Sequence, residues 1–183
     1  NVELVLKTMR ARTRDDLGVA VNAEMAADGR VTVVMDTMDR AEVLDLYRAC
    51  DCFVSLHRSE GFGRGIAEAL LLGKPVIATG YSGNVDFCQT PNASLVGYRK
   101  VRVQAGDYPF GAGSHWAEPH VEEAADLMTA LYERWRADEA AAGEADAGLE
   151  ETLGLAARGV RYKQRIGEID ALFAVEDGTA GRG

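Results

Sequence analysis

A chain of 183 residues is long enough for one domain with an appended tail, and 47% hydrophobic residues give it material for a core. Its 20 basic against 29 acidic residues leave a net charge of −9, which speaks against nucleic-acid binding, because phosphate backbones need clustered Lys and Arg. No apolar run approaches the roughly 18–20 residues of a membrane span.

The chain opens on "NVELVLK" with neither Met nor a secretory leader, which reads as an excised domain. Residues 2–7 are short and β-branched, as a strand is. Residues 10–29 carry mixed charge with Leu17, Val21 and Met25 at steps of four, the pattern of a surface helix ending at Gly29. Residues 31–35 (VTVVM) are nearly all apolar, as in a parallel strand covered on both faces. Asp39, three residues before Glu42, forms a capping box for a helix whose inward stripe is Val43, Leu46 and Tyr47.

Residues 52–56 (CFVSL) are the next strand, followed by a glycine-rich loop and an apolar helix over 66–72. Lys74-Pro75 leads into a strand over 76–79, "YSGN" breaks the pattern, and residues 93–96 are a further short strand. Residues 98–117 read as irregular. A helix then carries Val121, Ala124, Met128, Leu131 and Trp135 at steps of three and four, a core-facing stripe. Residues 138–151 hold six acids and no base, the composition of a solvated face or linker. The resulting division is a domain over 1–136, an acidic linker over 137–148, a helix over 149–174 and a disordered tail over 175–183.

Strand and helix alternate at the spacing of a Rossmann-like, doubly wound parallel α/β sheet with C-terminal helices. Cys50, Cys52 and Cys88 have no zinc-type spacing. Cys50-Asp51-Cys52 could be a redox or metal fragment, but small apolar residues beside a buried strand in a reducing cytosol are the simpler reading.

In an open parallel sheet ligands sit beyond the carboxyl ends of the strands. Two loops of unusual composition leave strand ends there, residues 57–65 (HRSEGFGRG) and 80–86 (GYSGNVD). Gly61, Gly63 and Gly65 let backbone approach a ligand, and the helix that follows offers free N–H groups and a positive dipole end, which suits a phosphate or diphosphate. A tight structural turn is the other reading of the same glycines. The spacing is not the dinucleotide fingerprint, so a redox dinucleotide domain is disfavoured.

Glu68 is the one carboxylate in "GIAEALLLG". A carboxylate in such a helix needs a polar partner, either a ribose or sugar diol or an internal ion pair. Glu60 lies at the mouth of the same loop, where it would meet a ligand or simply complement the helix dipole.

The segment "DCFVSLHRSEGFGRGIAEALLLGKPVIATGYSGNVDF" resembles the donor-site segment of glycosyltransferase family 4, with its E-x7-E motif at Glu60 and Glu68. The resemblance is strong over residues 31–96 and looser over 2–30 and 97–136. "SLHRSEGFG", "YSGN" and "WAEP" are similar to a bacterial subgroup that builds surface polysaccharide.

The resemblance implies the C-terminal half of a retaining enzyme of GT-B fold, with a nucleoside-diphosphate sugar as donor and a glycan or lipid-linked acceptor. It casts Glu60 as the catalytic residue at the donor sugar, Glu68 on the ribose hydroxyls, and the backbone of Gly61, Phe62, Gly63, Arg64 and Gly65 around sugar and diphosphate. No metal or other cofactor is expected, and the sequence holds no Asp-x-Asp motif.

The chain departs from the family at Arg64-Gly65, where Leu-Pro is common; Arg64 either faces phosphate or points to solvent. By the same comparison it lacks the N-terminal acceptor domain and the first βα unit, so the isolated chain is expected to transfer nothing. Lys7 could touch diphosphate or be a plain surface lysine, and His57 or Arg58 could orient Glu60. Ser82, Gly83 and Asn84 could touch the donor or acceptor, whereas His115, Trp116 and Glu118 bind sugar or anchor a loop. The implied place of work is the cytoplasm, with peripheral association at the inner membrane face left open. A non-catalytic nucleotide-binding module and half of a nucleotide-sugar epimerase are the rival readings.

Overall fold

The computed structural model describes residues 2–8 and 28–137. The expected helix over 10–29 lies almost wholly outside the described residues, and the acidic linker, final helix and tail lie outside them entirely. The chain forms two compact units, Asn1–Asp45 and Leu46–Gly183.

In the first unit, β1 (Leu4–Lys7) and β2 (Val31–Val34) pair in parallel, with Leu4 opposite Val31 and Lys7 opposite Val34. Helix α1 (Arg40–Ala49) starts in this unit, and its cap is reciprocal. The Glu42 backbone N–H donates to the Asp39 carboxylate at 2.9 Å, and the Asp39 N–H donates to the Glu42 carboxylate at 2.7 Å. This is the capping box that the spacing of the two acids specifies.

The second unit is built on a parallel sheet in the order β3 (Phe53–Ser55), β4 (Val76–Thr79), β5 (Ala93–Val96). Between β3 and β4 runs α2 (Arg64–Leu71), and between β4 and β5 lies a short 3-10 turn, Gly83–Asp86. Every residue of β4 is buried because each face of the sheet is covered. Val76 and Ala78 pack with Ile66, Ala67, Ala69 and Leu70 of α2, whereas Ile77 packs on the other face with Val96 and Ala124. Successive strand side chains point to opposite faces, so one strand feeds both cores. The result is a mixed, Rossmann-like α/β architecture with parallel sheets.

Helix α2 ends in a Schellman pair: the Gly73 N–H donates to Leu70 and the Lys74 N–H to Ala69, both at 2.9 Å. Pro75 then starts the turn back into β4.

Two expectations are corrected here. Residues 98–117 are not irregular but contain an antiparallel hairpin, β6 (Tyr98–Arg102) with β7 (His115–Pro119). Helix α3 (Val121–Arg136) also turns a different face inward from the stripe read in the sequence. Ala124, Leu127 and Leu131 pack on the sheet, while Val121, Met128 and Trp135 are exposed and Trp135 stacks on Tyr132 at 6.3 Å. The two stripes overlap at Ala124 and Leu131, and Leu127 moves the contact face to one side.

The cysteines behave as small apolar residues. Cys52 belongs to the α3-side core and Cys88 to the α2-side core. Burial pushes the Cys52 thiol up to about 11, with Cys50 and Asp51 adding to the effect, and burial also raises Cys50 and Cys88. All three stay protonated thiols at neutral pH. Among the described residues, no helix is long and apolar enough to cross a membrane.

Candidate active site

The loops that follow β3 and β4 leave adjacent parallel strands at their carboxyl ends, where such a sheet opens toward ligands. They are packed backbone to backbone. A Cβ placed on Gly83 would run into the carbonyl oxygen of Gly61 and stand 3.2 Å from the Phe62 Cα. The Gly83 N–H points at the Glu60 carbonyl at 3.5 Å. No residue with a side chain fits at position 83.

Gly63 is equally constrained. It caps α2 with φ 84° and ψ 47°, the left-handed region that L residues avoid, and a Cβ there would lie 3.0 Å from the Asn84 Cβ. No side chain caps the start of α2. The Ala67 N–H closes the first turn onto the Gly63 carbonyl at 2.9 Å, so the N–H groups of Arg64, Gly65 and Ile66 have no acceptor within the helix. An uncapped helix start beside a glycine turn has the charge and donor geometry for an anion.

His57 holds the two loops together. Its Nε2 lies 2.9 Å from the Tyr81 carbonyl and its Nδ1 lies 3.2 Å from the Ser55 hydroxyl. A carbonyl only accepts, so Nε2 carries the proton, and in the neutral ring Nδ1 accepts from Ser55. Both nitrogens are used within the protein, which makes His57 a clamp between the loops.

Asn84 is a second anchor. It is fully buried; its side-chain N–H donates to the Thr79 carbonyl at 3.0 Å, and its backbone carbonyl accepts from the Cys88 N–H at 3.0 Å. Its side-chain oxygen is buried and has no hydrogen-bond partner among the described residues. Ser82 is exposed and adopts φ 80° and ψ −156°, a region almost reserved for glycine.

The carboxylates differ in setting. Glu60 is partly exposed at the loop mouth, and its carboxylate makes no hydrogen bond or ion pair among the described residues. Glu68 has a side chain only 12% exposed, and it faces Arg64 one turn earlier, Nε to Oε1 3.7 Å, with the Arg64 side chain 87% exposed. Gly61 and Phe62 are exposed, and the Phe62 ring rests on Phe87 at 5.1 Å. Gly65 passes under α1, where a Cβ would lie 3.1 Å from the Tyr47 hydroxyl and 3.2 Å from the Phe53 ring. Lys7 ends β1 in the first unit, where its ammonium donates to the Thr8 carbonyl at 3.1 Å.

Arg58 shows what the cluster at 115–118 does. Its guanidinium pairs with the Glu118 carboxylate at 2.9 and 3.0 Å and lies 4.8 Å above the Trp116 ring, while its carbonyl accepts from the Ala117 N–H at 2.8 Å. Trp116 and Glu118 therefore anchor the first loop to β7, and His115 is exposed near the other end of the strand. Sequence reasoning did not pair Arg58 with Glu118, because sixty residues separate them and neither lies in a periodic pattern. The Tyr81–Tyr98 ring pair, 4.9 Å apart, was missed because the hairpin that carries Tyr98 was not read in the sequence.

No curated protein sequence matches the chain. Residues 26–95, which carry both loops together with Glu60 and Glu68, match the family model described as glycosyl transferases group 1, so the segment that builds this crevice is similar to a glycosyltransferase domain.

Proposed function

We propose that this chain is the donor-binding half of a retaining glycosyltransferase, of the kind found in glycosyltransferase family 4. The observation that carries the reading is the fusion of two strand-end loops around an uncapped helix start, flanked by Glu60 and Glu68. A nucleoside diphosphate sugar fits that arrangement: diphosphate at the N–H groups of residues 64–66, ribose hydroxyls on Glu68, sugar hydroxyls on Glu60. Arg64, at the helix start, adds positive charge on the solvent side of the same position.

In the reaction, the bond between the anomeric carbon and the diphosphate oxygen breaks, and its electron pair leaves with the diphosphate. The helix start stabilises the growing negative charge. Glu60 stabilises the positive character of the sugar, and the acceptor hydroxyl attacks from the face the diphosphate leaves, passing its proton to the departing diphosphate oxygen. No resident metal is needed in this scheme. The acceptor, a glycan or lipid-linked sugar of a bacterial surface polysaccharide, is held by a further domain, so this chain alone binds donor without transferring it. The place of work is the cytoplasm, at the inner membrane face.

The ion pair with Arg64 favours a second reading for Glu68, a structural carboxylate that touches no ligand. Calorimetry of the chain against UDP, GDP and ADP and their sugars separates the two. One base is expected to bind, and Glu68→Ala to weaken it by about 1–3 kcal/mol, the worth of hydrogen bonds to a charged group. Unchanged affinity in Glu68→Ala rules out the ribose role.

A further inference from the structure

Hairpin β6–β7 carries a feature that the donor site does not use. Its connecting turn is tightly built: the Val103 N–H donates to Ser114, Gly113 to Val103, Gly111 to Tyr108 and Ser114 to Gly111, at 2.9 to 3.1 Å. The Asp107 carboxylate accepts from the Gln104 N–H at 2.8 Å. This ordered turn holds two large aromatic rings in solvent. Tyr108 is 65% exposed and Phe110 is completely exposed. Phe110 also has φ 59°, a conformation that bulky residues avoid and that Gly or Asn would take more easily. A turn built for shape alone has no use for phenylalanine there.

The strands below the tip are basic on one face. Tyr98, Lys100 and Arg102 alternate along β6, and the register sets His115 opposite Arg102 and Ala117 opposite Lys100, so that face holds no acid. Lys100, Arg102 and His115 are all exposed, in a chain whose net charge is −9. Arg99 lies on the other face, opposite Glu118.

We propose that this hairpin docks peripherally on an anionic lipid surface, with Tyr108 and Phe110 entering the headgroup layer and Lys100 and Arg102 meeting the lipid phosphates. Exposed aromatic rings beside cations are the chemistry of interfacial binding. Residues 104–110 are exposed without a break, so the tip stands free to enter a headgroup layer, and the basic face below it complements anionic phosphates. The proposal rests on the inner-membrane-face placement proposed above and names its surface, whereas the donor-site reading is tested separately by calorimetry.

The test is flotation of the full 183-residue chain with phosphatidylcholine vesicles, with and without phosphatidylglycerol. The bound fraction is expected to rise several-fold with the anionic lipid and to fall again in high salt. Phe110→Ser, and separately the pair Lys100→Glu and Arg102→Glu, each remove most of that gain while leaving the thermal melting curve in place. Equal binding to both vesicle types, or wild-type binding by the Phe110 variant, overturns the proposal. So does self-association that depends on Phe110 in a chain that ignores vesicles, which assigns the tip to a protein interface.

Discussion

Gly83 and Gly61 touch through their backbones, at a point where a single added methyl would collide with the Gly61 carbonyl oxygen. The contact joins the loop after β3 to the loop after β4 and fixes the distance between the two halves of the crevice. Gly83→Ala must push the loops apart. Overpacking of this kind costs about 3 kcal/mol where backbone rather than a flexible side chain has to move. A lower urea midpoint, with nucleotide binding weakened beyond the loss of folded protein, is the expected result. Unchanged binding in the folded fraction would show that the loop spacing does not matter.

Ser82 precedes that contact and has a conformation costing about 1–3 kcal/mol for a residue with a side chain. Its side chain is exposed and caps nothing, so glycine loses little there. Ser82→Gly gains relief of strain and loses about 0.5–1 kcal/mol to the greater freedom of the unfolded chain. A net stabilisation of about 1 kcal/mol follows, visible as a rise in Tm. If the melting temperature falls instead, the Ser82 hydroxyl has a partner or a function that outweighs the strain.

His57 ties Ser55 to Tyr81 across the same crevice. His57→Ala leaves the Tyr81 carbonyl without its donor, at a cost of about 1–2 kcal/mol. His57→Gln retains a side-chain N–H that can reach a carbonyl and is expected to recover part of that loss. Faster amide exchange in the loop after β4 is the accompanying sign in the Ala variant. Identical exchange in wild type and Ala variant would remove the clamp role.

The parts legible in the sequence were those set by local chemistry. The capping box at Asp39 and Glu42 is four residues long, and both of its bonds form. Strand β4 reads correctly because both its faces are buried and its composition is uniformly small and apolar. The two crevice loops stand out because glycine is needed wherever backbone meets backbone. Hairpin β6–β7 was hidden because "YRKVR" exposes charges on both faces of a two-stranded ribbon, so no apolar alternation announces it. The inward face of α3 was misjudged because two overlapping stripes share Ala124 and Leu131, and only the sheet beneath selects Leu127. The burial of Asn84 was not legible because it is set by non-local packing, with Gly63 so close that a Cβ there would stand 3.0 Å from the Asn84 Cβ.

Alkaline pH offers a separate handle on the core. An unfolded Cys52 ionises near its ordinary value of 9.0, whereas burial in the folded chain holds the thiol until about 11. Between those values the unfolded state has lost the proton that the native state keeps, so raising the pH favours unfolding. The contribution is complete below about pH 9 and gone above about pH 11. Cys50 and Cys88, raised by the same burial, act in the same direction. Cys52→Ala removes the largest of these effects at the cost of one sulfur atom in a partly buried position. Urea midpoints at pH 8 and pH 10.5 should therefore fall further apart in the wild type than in Cys52→Ala, and a slow reaction of Cys52 with a thiol reagent at pH 8 should accompany this. An equal drop in both proteins would mean that tyrosines and lysines, rather than this thiol, govern the alkaline limit.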